Sequence, residues 1–510
     1  TVSQTGDNNS SEVSQANSAV AMHATVTTQG NDNSANITQD DSWDANATIT
    51  QSGNENGADI TQNVWADLSS ATVEQSGEGN SAEVNQINYS GSSTASINQF
   101  DSTGASAIID QVEANDSSAS IEQSNYTGKS DNGAEIQQHD GNSLDASIVQ
   151  ESTVNDTAKI DQTGSVQTAD IHQKNYNLRG DAQITQTGSD QVANIDQTWS
   201  GGSEAIVTQD GNANLAGITQ YDSDDSSAVI TQDGTLLTAS ISQSNAPGVG
   251  GGNGNVATVD QTGTSNGATV VQDGYNNSAE VTQADAGNTA SVTQTGDANG
   301  ATVDQTGTTQ MATVTQAGDD NSATVTQAGT MNDATVSQAD TSNTASIDQT
   351  GNNQLATVTQ ASDGNSATTT QSGSEQIAST TQTGNSNLAN TTQSDSSNGA
   401  YVTQGGDNNA SGITQSGENQ LANVNQSGAF NESGILQASE LNSADVDQSG
   451  EFNTANIDQS GMSNTATINQ SGYGIAESFN TATILQTSTS DIASITQMGG
   501  SGNSAMITQQ

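Results

Sequence analysis

The sequence of 510 residues contains no cysteine, a single proline and only four lysine or arginine residues. Without cysteine the chain has no disulfide or thiol chemistry. The four cationic residues stand against 58 aspartates and glutamates, which gives a formal net charge of −54 and argues strongly against nucleic-acid binding. Aromatic residues make up 3% of the chain. There is no apolar run of about 18 residues, so no membrane insertion is expected.

What the sequence does have is a strict period. Glutamine recurs every 11 residues from Gln261 to Gln470 without a slip. A typical unit runs from Gln316 to Gln327, with glycine two residues after the first glutamine, asparagine five, alanine seven, and valine or isoleucine nine residues after it. A chain of low hydrophobicity and high charge would be expected to be disordered. The periodicity instead predicts a repeat architecture.

Spacing within the unit predicts β-strands. The asparagine, alanine, valine and glutamine are two residues apart, so they share one face of an extended strand. An 11-residue period could also describe a right-handed helical coiled coil. The recurrent glycine, the abundant threonine and valine, and the shortage of lysine and arginine disfavour helix. We expect a strand of about seven residues followed by a turn, as at 317–320.

The same face must bury both apolar and amide side chains. Alanine and valine are the apolar residues of the unit, so the asparagine and glutamine beside them must be buried as well. A buried amide without a partner costs roughly 1–3 kcal/mol. Stacking identical units about 4.8 Å apart lets each amide bond to its copy above and below. The predicted amide ladder comprises Gln261, Asn266, Gln272, Asn277, Gln283, Gln294, Gln305, Gln310, Gln316, Asn321, Gln327, Gln354, Gln360, Gln376 and Gln382.

The true period is two units. Glutamine replaces the asparagine at Gln310, Gln354, Gln376 and Gln420, positions whose separations are all multiples of 22. Two kinds of strand therefore alternate along the chain, and each strand stacks on the strand of the same kind 22 residues further on. We predict an all-β fold, a β-solenoid of about 22 two-strand coils with cross-β, parallel, in-register stacking between coils.

The chain is expected to form a single solenoid domain over residues 1–510. Over residues 1–260 the repeats are looser and carry insertions in the turns. Over 261–470 they follow the strict period, and residues 471–510 form the terminal repeats. Because the chain begins at Thr1 without methionine, we interpret it as a mature, secreted form from which a signal peptide has been removed.

Irregularities of the looser half are expected mainly in turns. One insertion lies at 125–130, and the sole proline, Pro247, lies in an enlarged turn over 244–254. The unit that ends at Gln29 contains one residue more than the repeat requires, which suggests a β-bulge.

The two ends of the chain follow the repeat pattern, with no atypical capping unit. Uncapped ends would expose unpaired backbone and amide ladders that template strands of another copy. We expect head-to-tail self-assembly into a homopolymer through these ends, at Val2, Gln4, Asn503, Ala505, Ile507 and Gln509.

Catalytic, cofactor and metal sites are not indicated. The three histidines are too scattered for a metal site, and the acidic residues lie mostly at outward or turn positions. We expect at most a loose association of divalent cations with the acidic surface. Trp43, Trp65 and Trp199 are expected on turns or outer faces, with an adhesive or sugar-binding role as the alternative.

The unit Gln-x-Gly-x-x-Asn-x-Ala-x-x-x-Gln, as in Gln316, Gly318, Asn321, Ala323 and Gln327, closely resembles the curlin repeat of the curli amyloid subunits of bacterial biofilms. The resemblance implies a structural, non-enzymatic subunit of an extracellular, pilus-like fibre. It also implies secretion through a curli-type outer-membrane channel, a nucleator subunit as a partner, and a role in biofilm matrix and adhesion. This chain is several times longer and far more acidic than familiar curlins.

Two alternatives stay open. Outward Thr-x-Thr pairs could order water, as in an ice-binding β-solenoid, at Thr313/Thr315, Thr324/Thr326, Thr357/Thr359 and Thr368/Thr370. Neighbouring coils are expected to break these rows at Asp304, Asp348, Val271 and Tyr401. The second alternative is a monomeric adhesin stalk.

Overall fold

A computed structural model describes residues 1–17, 20–125, 131–175, 177–245 and 254–510. Within these ranges the chain is all-β, and no helix is long and apolar enough to cross a membrane. Most of the insertion predicted at 125–130 (residues 126–130) and most of the enlarged turn predicted at 244–254 (residues 246–253, with Pro247) lie outside the described residues.

The chain divides into two compact units, Thr1–Ser265 and Asn266–Gln510. Each unit is a stack of short strands. The prediction of one domain over residues 1–510 stays a prediction.

The strands of the first unit are β1 (Val2–Thr5), β2 (Ser10–Ala16), β3 (His23–Gln29), β4 (Ser34–Asp40), β5 (Asn46–Asn54), β6 (Gly57–Asn63), β7 (Ser70–Glu78), β8 (Ser81–Ile87), β9 (Thr94–Thr103), β10 (Ser106–Asn115), β11 (Ser118–Ser124), β12 (Gly133–Glu151), β13 (Thr157–Lys174), β14 (Asp181–Ser189), β15 (Val192–Thr198), β16 (Glu204–Asn212), β17 (Leu215–Tyr221), β18 (Ser227–Thr235), β19 (Thr238–Ser244) and β20 (Val256–Thr264).

The strands of the second unit are β21 (Gly267–Asp273), β22 (Ser278–Ala286), β23 (Thr289–Thr295), β24 (Gly300–Thr308), β25 (Met311–Ala317), β26 (Ser322–Thr330), β27 (Asp333–Gln338), β28 (Thr344–Asn352), β29 (Leu355–Gln360), β30 (Ser366–Ser374), β31 (Ile377–Gln382), β32 (Leu388–Ser396), β33 (Gly399–Gln404), β34 (Ala410–Glu418), β35 (Leu421–Gln426), β36 (Glu432–Ala438), β37 (Ser443–Gln448), β38 (Asn453–Gln459), β39 (Thr465–Gln470), β40 (Asn480–Gln486), β41 (Ile492–Gln497) and β42 (Ser504–Gln509).

Strands in the second unit pair in parallel with the strand two positions along the chain. On β25 and β27, Ala312 pairs with Ala334 and Gln316 pairs with Gln338, so identical positions of the repeat face each other. Even-numbered strands pair in the same way, as β24 does with β26. The two kinds of strand thus form two separate stacks, and two strands make one turn of a β-solenoid. This arrangement confirms the predicted fold class.

The first unit has the same topology with two longer strands. Both β12 and β13 run through a corner without a break and carry two of the predicted inward glutamines each, Gln138 and Gln150 on β12 and Gln162 and Gln173 on β13. Over the described residues there are 42 strands, of which β12 and β13 each count as two inward segments, so 44 segments make about 22 turns, as predicted.

Burial alternates along every regular strand. In β26 the inward residues Ala323 and Val325 are 2% and 0% exposed, and the residues between them face outward. The core of each turn is therefore thin, with alanine and a β-branched residue from each stack. Burial of such small side chains supplies apolar stabilisation only because the turns are stacked without gaps.

Glycine at the corners is required by the close approach of successive turns. Gly329 has φ of +116°, in a region that disfavours other residues, and a Cβ built on it would lie 2.0 Å from the carbonyl oxygen of Gly351 in the next turn. Gly307, Gly351 and Gly373 occupy the same corner with positive φ. The repeated glycine thus lets the corner backbone of one turn rest on the next.

The β-bulge predicted at Gln29 is wrong. Strand β3 keeps a regular alternation in which Thr28 is buried and Gln29 is exposed. Thr28 pairs with Gln51 and Gln29 with Ser52, so the strand stays in register and the extra residue simply moves the glutamine outward.

Candidate functional site

The inward glutamines of the second unit form two continuous rows of side-chain hydrogen bonds. Gln327 Nε2 donates to Gln349 Oε1 at 2.8 Å, and Gln316 Nε2 donates to Gln338 Oε1 at 2.9 Å. The predicted ladder members in these rows are Gln272, Gln283, Gln294, Gln305, Gln316, Gln327, Gln360 and Gln382, each joined to its copy at 2.8–2.9 Å.

Each glutamine amide also bonds to the backbone across the core. Gln327 Nε2 donates a second hydrogen bond to the carbonyl of Met311 at 2.9 Å, on the facing stack. Both protons of the amide nitrogen are thereby used at a side chain that is fully buried. This satisfies the donors whose burial would otherwise cost roughly 1–3 kcal/mol each.

All these side-chain bonds point the same way along the stack. The Nε2 of each glutamine donates toward the copy of higher residue number, in one row from Gln272 to Gln497 and in the other from Gln283 to Gln509. The row is therefore polar, because one end offers an amide oxygen and the other an amide nitrogen.

The first unit carries equivalent rows. Gln232 Nε2 donates to Gln261 Oε1 at 2.9 Å, in a row that begins with Gln15 and Gln39. The second row is interrupted where Thr28 takes the place of a glutamine. The Oγ1 of Thr28 and the Oε1 of Gln51 are buried without a hydrogen-bond partner among the described residues, because the short hydroxyl does not bridge the gap between turns.

Some asparagines meet their own side-chain copy as expected, as Asn453 does in donating from Nδ2 to Asn431 Oδ1 at 3.0 Å, but those of the predicted ladder bond to the backbone of the next turn. Asn321 Oδ1 accepts the backbone N–H of Asn343 at 3.0 Å, and its Nδ2 donates to the carbonyl of Asp340 at 2.9 Å. Asn266 and Asn277 likewise accept from the backbone N–H of the asparagine one turn on, at 2.9 and 3.0 Å. The shorter side chain reaches the backbone of the next turn, so it fixes the corners rather than extending a side-chain row.

Glutamines that replace asparagine fit these corners less well. Gln310 and Gln354 donate from Nε2 to backbone carbonyls, Gly329 and Gly373 respectively, but their Oε1 atoms are buried without a partner among the described residues. Gln354 also donates to Gln376 Oε1 at 3.2 Å. The extra methylene moves the side-chain oxygen out of line with the next N–H.

The terminal strands present partly exposed inward positions. Val2 is 49% exposed and pairs with Val26, and Gln4 pairs with Thr28. At the other end, Ala505 and Ile507 pack as half-buried residues against the buried cluster of the second unit. Gln509 Oε1 accepts from Gln486 Nε2 at 2.8 Å, and Asn503 donates from its backbone N–H to Asn480 Oδ1 at 3.0 Å and from Nδ2 to the carbonyl of Gly499 at 2.8 Å.

Sequence reasoning did not single out Asp156. This residue lies six positions before Gln162, where asparagine is usual, and it is fully buried. Its Oδ1 accepts the N–H of Gly180 at 2.8 Å, while Oδ2 has no partner among the described residues. Burial raises the pKa of Asp156 to about 7, against the lowering effect of the N–H of Gly180 and of the nearby Asn177 and Arg179. The signal in the sequence was its position in the repeat, because that position predicts a buried side chain.

Three inward threonines were also missed. Thr369, Thr380 and Thr391 occupy the position of valine or isoleucine in three successive strands and are at most 2% exposed. The hydroxyls of Thr369 and Thr380 have no hydrogen-bond partner among the described residues. These buried hydroxyls lower the stability of the apolar core in this part of the second unit.

Outward hydroxyls of the second unit form one uninterrupted array on the odd-numbered stack. Strands β23, β25, β27, β29 and β31 pair in register and carry serine or threonine at both outward positions between alanine and glutamine. We call this array the hydroxyl face: Ser291, Thr293, Thr313, Thr315, Thr335, Ser337, Thr357, Thr359, Ser379 and Thr381.

The expectation that Asp304 and Asp348 break rows of threonines is confirmed for the even-numbered stack, where both aspartates pair with Thr326, but neither interrupts the hydroxyl face. Both aspartates lie on even-numbered strands, β24 and β28, and so belong to the other stack. Val271 and Tyr401 do lie in the odd-numbered stack, where they border the hydroxyl face on β21 and β33.

The tryptophan side chains lie at the surface, and the histidines are exposed or half-buried. Trp43, Trp65 and Trp199 are 58%, 53% and 44% exposed, in turns that follow β4, β6 and β15, as predicted. Among the residues that the structure describes, no group of three or more histidine, aspartate or glutamate side chains could hold a metal ion.

Comparison with known families identifies the repeat. The family description of the curlin associated repeat matches the chain at residues 202–234, 252–284, 286–318, 311–339, 318–351, 341–373 and 442–472. No curated protein matches the chain. The chain therefore contains curlin associated repeats, and this repeat and the solenoid fold are those of a structural protein.

Proposed function

We propose that this protein is the structural subunit of an extracellular, amyloid-like fibre of the curli type, with a role in biofilm matrix and adhesion. The support is the curlin associated repeat together with a parallel, in-register cross-β stack. Curlin-repeat proteins are typically extracellular, so a secreted, cell-surface location goes with this function.

The polar glutamine rows carry the proposal. Since every Nε2 in a row donates in one direction, the two ends of a row are complementary and not alike. A second copy can continue the row head to tail, whereas a head-to-head contact would set like groups against each other. Head-to-tail contacts that do not close on themselves give filaments.

Strand β42 provides the surface on which the next copy would add. Ala505 and Ile507 face inward on this strand, while Met506 and Thr508 face outward. A β-strand of another copy placed on β42 would complete the burial of Ala505 and Ile507 and the hydrogen bonding of Gln509.

Seeded growth of the full chain tests the proposal. We expect purified protein to form fibres, and sonicated fibres to seed their further growth. The substitution Ile507→Lys, which places a charge in the inward row, should suppress seeded elongation at least about tenfold, since burying an unpaired charge costs several kcal/mol. The control Thr508→Lys, one residue away and outward, should elongate like the parent chain.

Elongation of Ile507→Lys at the parental rate would contradict the role given to this strand. A protein that stays monomeric under seeding would contradict the fibre proposal and favour a monomeric stalk. If fibres form, we further propose that a curli-type secretion channel exports the chain and that a nucleator subunit starts its assembly.

The hydroxyl face supports ice binding as a second candidate function. Its rungs are about 4.8 Å apart, and alternate residues along a strand are about 6.6–6.8 Å apart, so the hydroxyls form a regular two-dimensional lattice. No charged residue interrupts it from β23 to β31 at the two outward positions. A regular, charge-free hydroxyl array can hold an ordered layer of water.

Thermal hysteresis decides this candidate. Ice binding predicts a hysteresis gap that Thr335→Lys, in the middle of the hydroxyl face, abolishes. Thr324→Lys, outward on the even-numbered stack, is the matched control and should leave the gap unchanged. The absence of any gap in the parent chain would eliminate this function.

A further inference from the structure

Two tryptophans of the first unit form the walls of a surface cleft. Trp43 and Trp65 lie in consecutive turns at the same corner, after β4 and β6, and together with Asp41 and Asp67 they line a cleft of about 380 Å³. Tyr89 continues the aromatic row in the next turn, with its ring centroid 5.2 Å from that of Trp65. Two of the three tryptophans in the chain thus meet at one place.

The corner holds both the rings and the carboxylates in position. The N–H of Trp65 donates to the carbonyl of Asp41 at 2.9 Å, and the N–H of Tyr89 donates to the carbonyl of Val64 at 3.0 Å. The N–H of Trp43 donates to Asp67 Oδ1 at 2.6 Å, which fixes that carboxylate beside the indole of Trp43. The cleft is therefore part of the stacked framework.

The chemistry of the cleft favours a positively charged organic ligand. The faces of indole rings attract cations, and best of all alkylated ammonium groups, which also gain from apolar contact. Two carboxylates add to that attraction, and a net charge of −54 concentrates cations near the surface. An anionic ligand would meet repulsion from the same groups. The chain's own lysines and arginines all lie at residue 129 or beyond.

We propose that the cleft formed by Trp43, Trp65, Asp41 and Asp67 binds an alkylammonium group of a small molecule. The binding stands apart from fibre formation, because none of these residues faces inward or lies on β42. It gives the surface of the first unit a ligand-binding role that the amide core does not have.

Tryptophan fluorescence tests the proposal directly. In a Trp199→Phe background the remaining indoles both line the cleft. Titration with tetramethylammonium chloride should give a saturable change that sodium chloride at equal ionic strength does not give. Trp65→Leu should abolish the saturable change in the signal of Trp43. Circular dichroism establishes that each variant keeps its β-structure.

Charge variants complete the test. The double substitution Asp41→Asn with Asp67→Asn keeps a side-chain oxygen for the N–H of Trp43 but removes both charges, and should weaken binding about threefold to tenfold. Asp320→Asn with Asp340→Asn removes the same net charge from the second unit and should leave the affinity unchanged. Equal responses to tetramethylammonium and sodium, or full binding by Trp65→Leu, would overturn the proposal. Saturation by uncharged methyl glucoside instead would overturn it in favour of a sugar site.

Discussion

Buried polar side chains, rather than large apolar ones, distinguish this core at the scale of single residues. A fully buried glutamine is tolerated because its copy lies one turn away and its second amide proton reaches a backbone carbonyl. Positions that lack this matching are the weak points. Thr28 interrupts a row, Gln310 leaves an oxygen unpaired, and Thr369 and Thr380 bury hydroxyls without a partner among the described residues.

The inward threonines give the first residue-scale prediction. Replacing Thr369 and Thr380 by valine should stabilise the second unit by roughly 1 kcal/mol per site, since each change removes an unsatisfied buried hydroxyl at nearly constant volume. Urea denaturation followed by circular dichroism measures the effect. Thr370→Val, outward on the same strand as Thr369, is the control and should change the stability little. Destabilisation by the inward pair would mean that their hydroxyls are satisfied.

The second residue-scale prediction concerns Asp156 and the pH dependence of the free energy of unfolding. Its pKa is raised from 3.8 to about 7 by burial, so the folded state holds a proton that the unfolded chain releases. The resulting stability is fully present below about pH 4 and is lost as the pH rises through about 7. Between about pH 5.5 and 8.5 the parent chain should lose roughly 2 kcal/mol that Asp156→Asn does not lose.

The control for this pH effect is Asp190→Asn. It removes the same charge from an exposed position, and it should follow the parent chain. If urea denaturation of Asp156→Asn shows the same pH dependence as the parent, the carboxyl of Asp156 is not the group responsible.

At the scale of strands and corners, repetition in register also aligns side chains outside the core. Phe430 and Phe452, 22 residues apart, stack with ring centroids 4.8 Å apart and planes within 1° of parallel. Phe479 follows after an insertion and meets Phe452 edge to face at 5.8 Å. An insertion in a corner is therefore absorbed locally, while the strands on either side keep their pairing.

Corner glycines give a prediction at this scale. Gly329→Ala should destabilise the second unit by more than about 2 kcal/mol, because the added Cβ would meet the carbonyl of Gly351 and the backbone has positive φ. Gly300→Ala is the matched control, since a Cβ there would have no heavy atom within 4 Å. It should be neutral or slightly stabilising. Equal thermal stability of both variants would contradict the close packing of corners.

Sequence spacing predicted the strands, their two classes and the inward glutamines, because a strict period leaves only one face for the core. It did not predict how Asn321 bonds, since the reach of a shorter amide depends on the corner geometry. The sequence order also hid the hydroxyl face. Asp304 follows Thr293 and precedes Thr313 along the chain, yet it lies on a different stack. In such a solenoid the strand that lies next to a given strand is the second one along the chain, and not the next one.

Charge is the property that matters most at the scale of the whole molecule. A net charge of −54 over 42 strands gives between two and three negative charges per turn. Successive turns are about 4.8 Å apart, which is within the Debye length of about 8 Å at physiological salt. We infer that this repulsion opposes association between copies until cations screen it.

Assembly should therefore respond to cations. Seeded elongation should be several-fold faster in millimolar magnesium or calcium than at the same ionic strength of sodium, and chelation should reverse the gain and loosen lateral bundles. Light scattering and electron microscopy follow the two effects. Elongation and bundling that are indifferent to salt and to chelator would show that the acidic surface has no part in assembly.

The most direct test of the amide core is a cryo-electron microscopy map of the assembled protein at a resolution that shows side chains. The account predicts Gln327 facing Gln349 inside the stack, the same contact repeated in every turn at about 4.8 Å, and the rows continuing across the junction between copies. Glutamine side chains directed toward solvent, or rows that stop at a sealed junction, would contradict it.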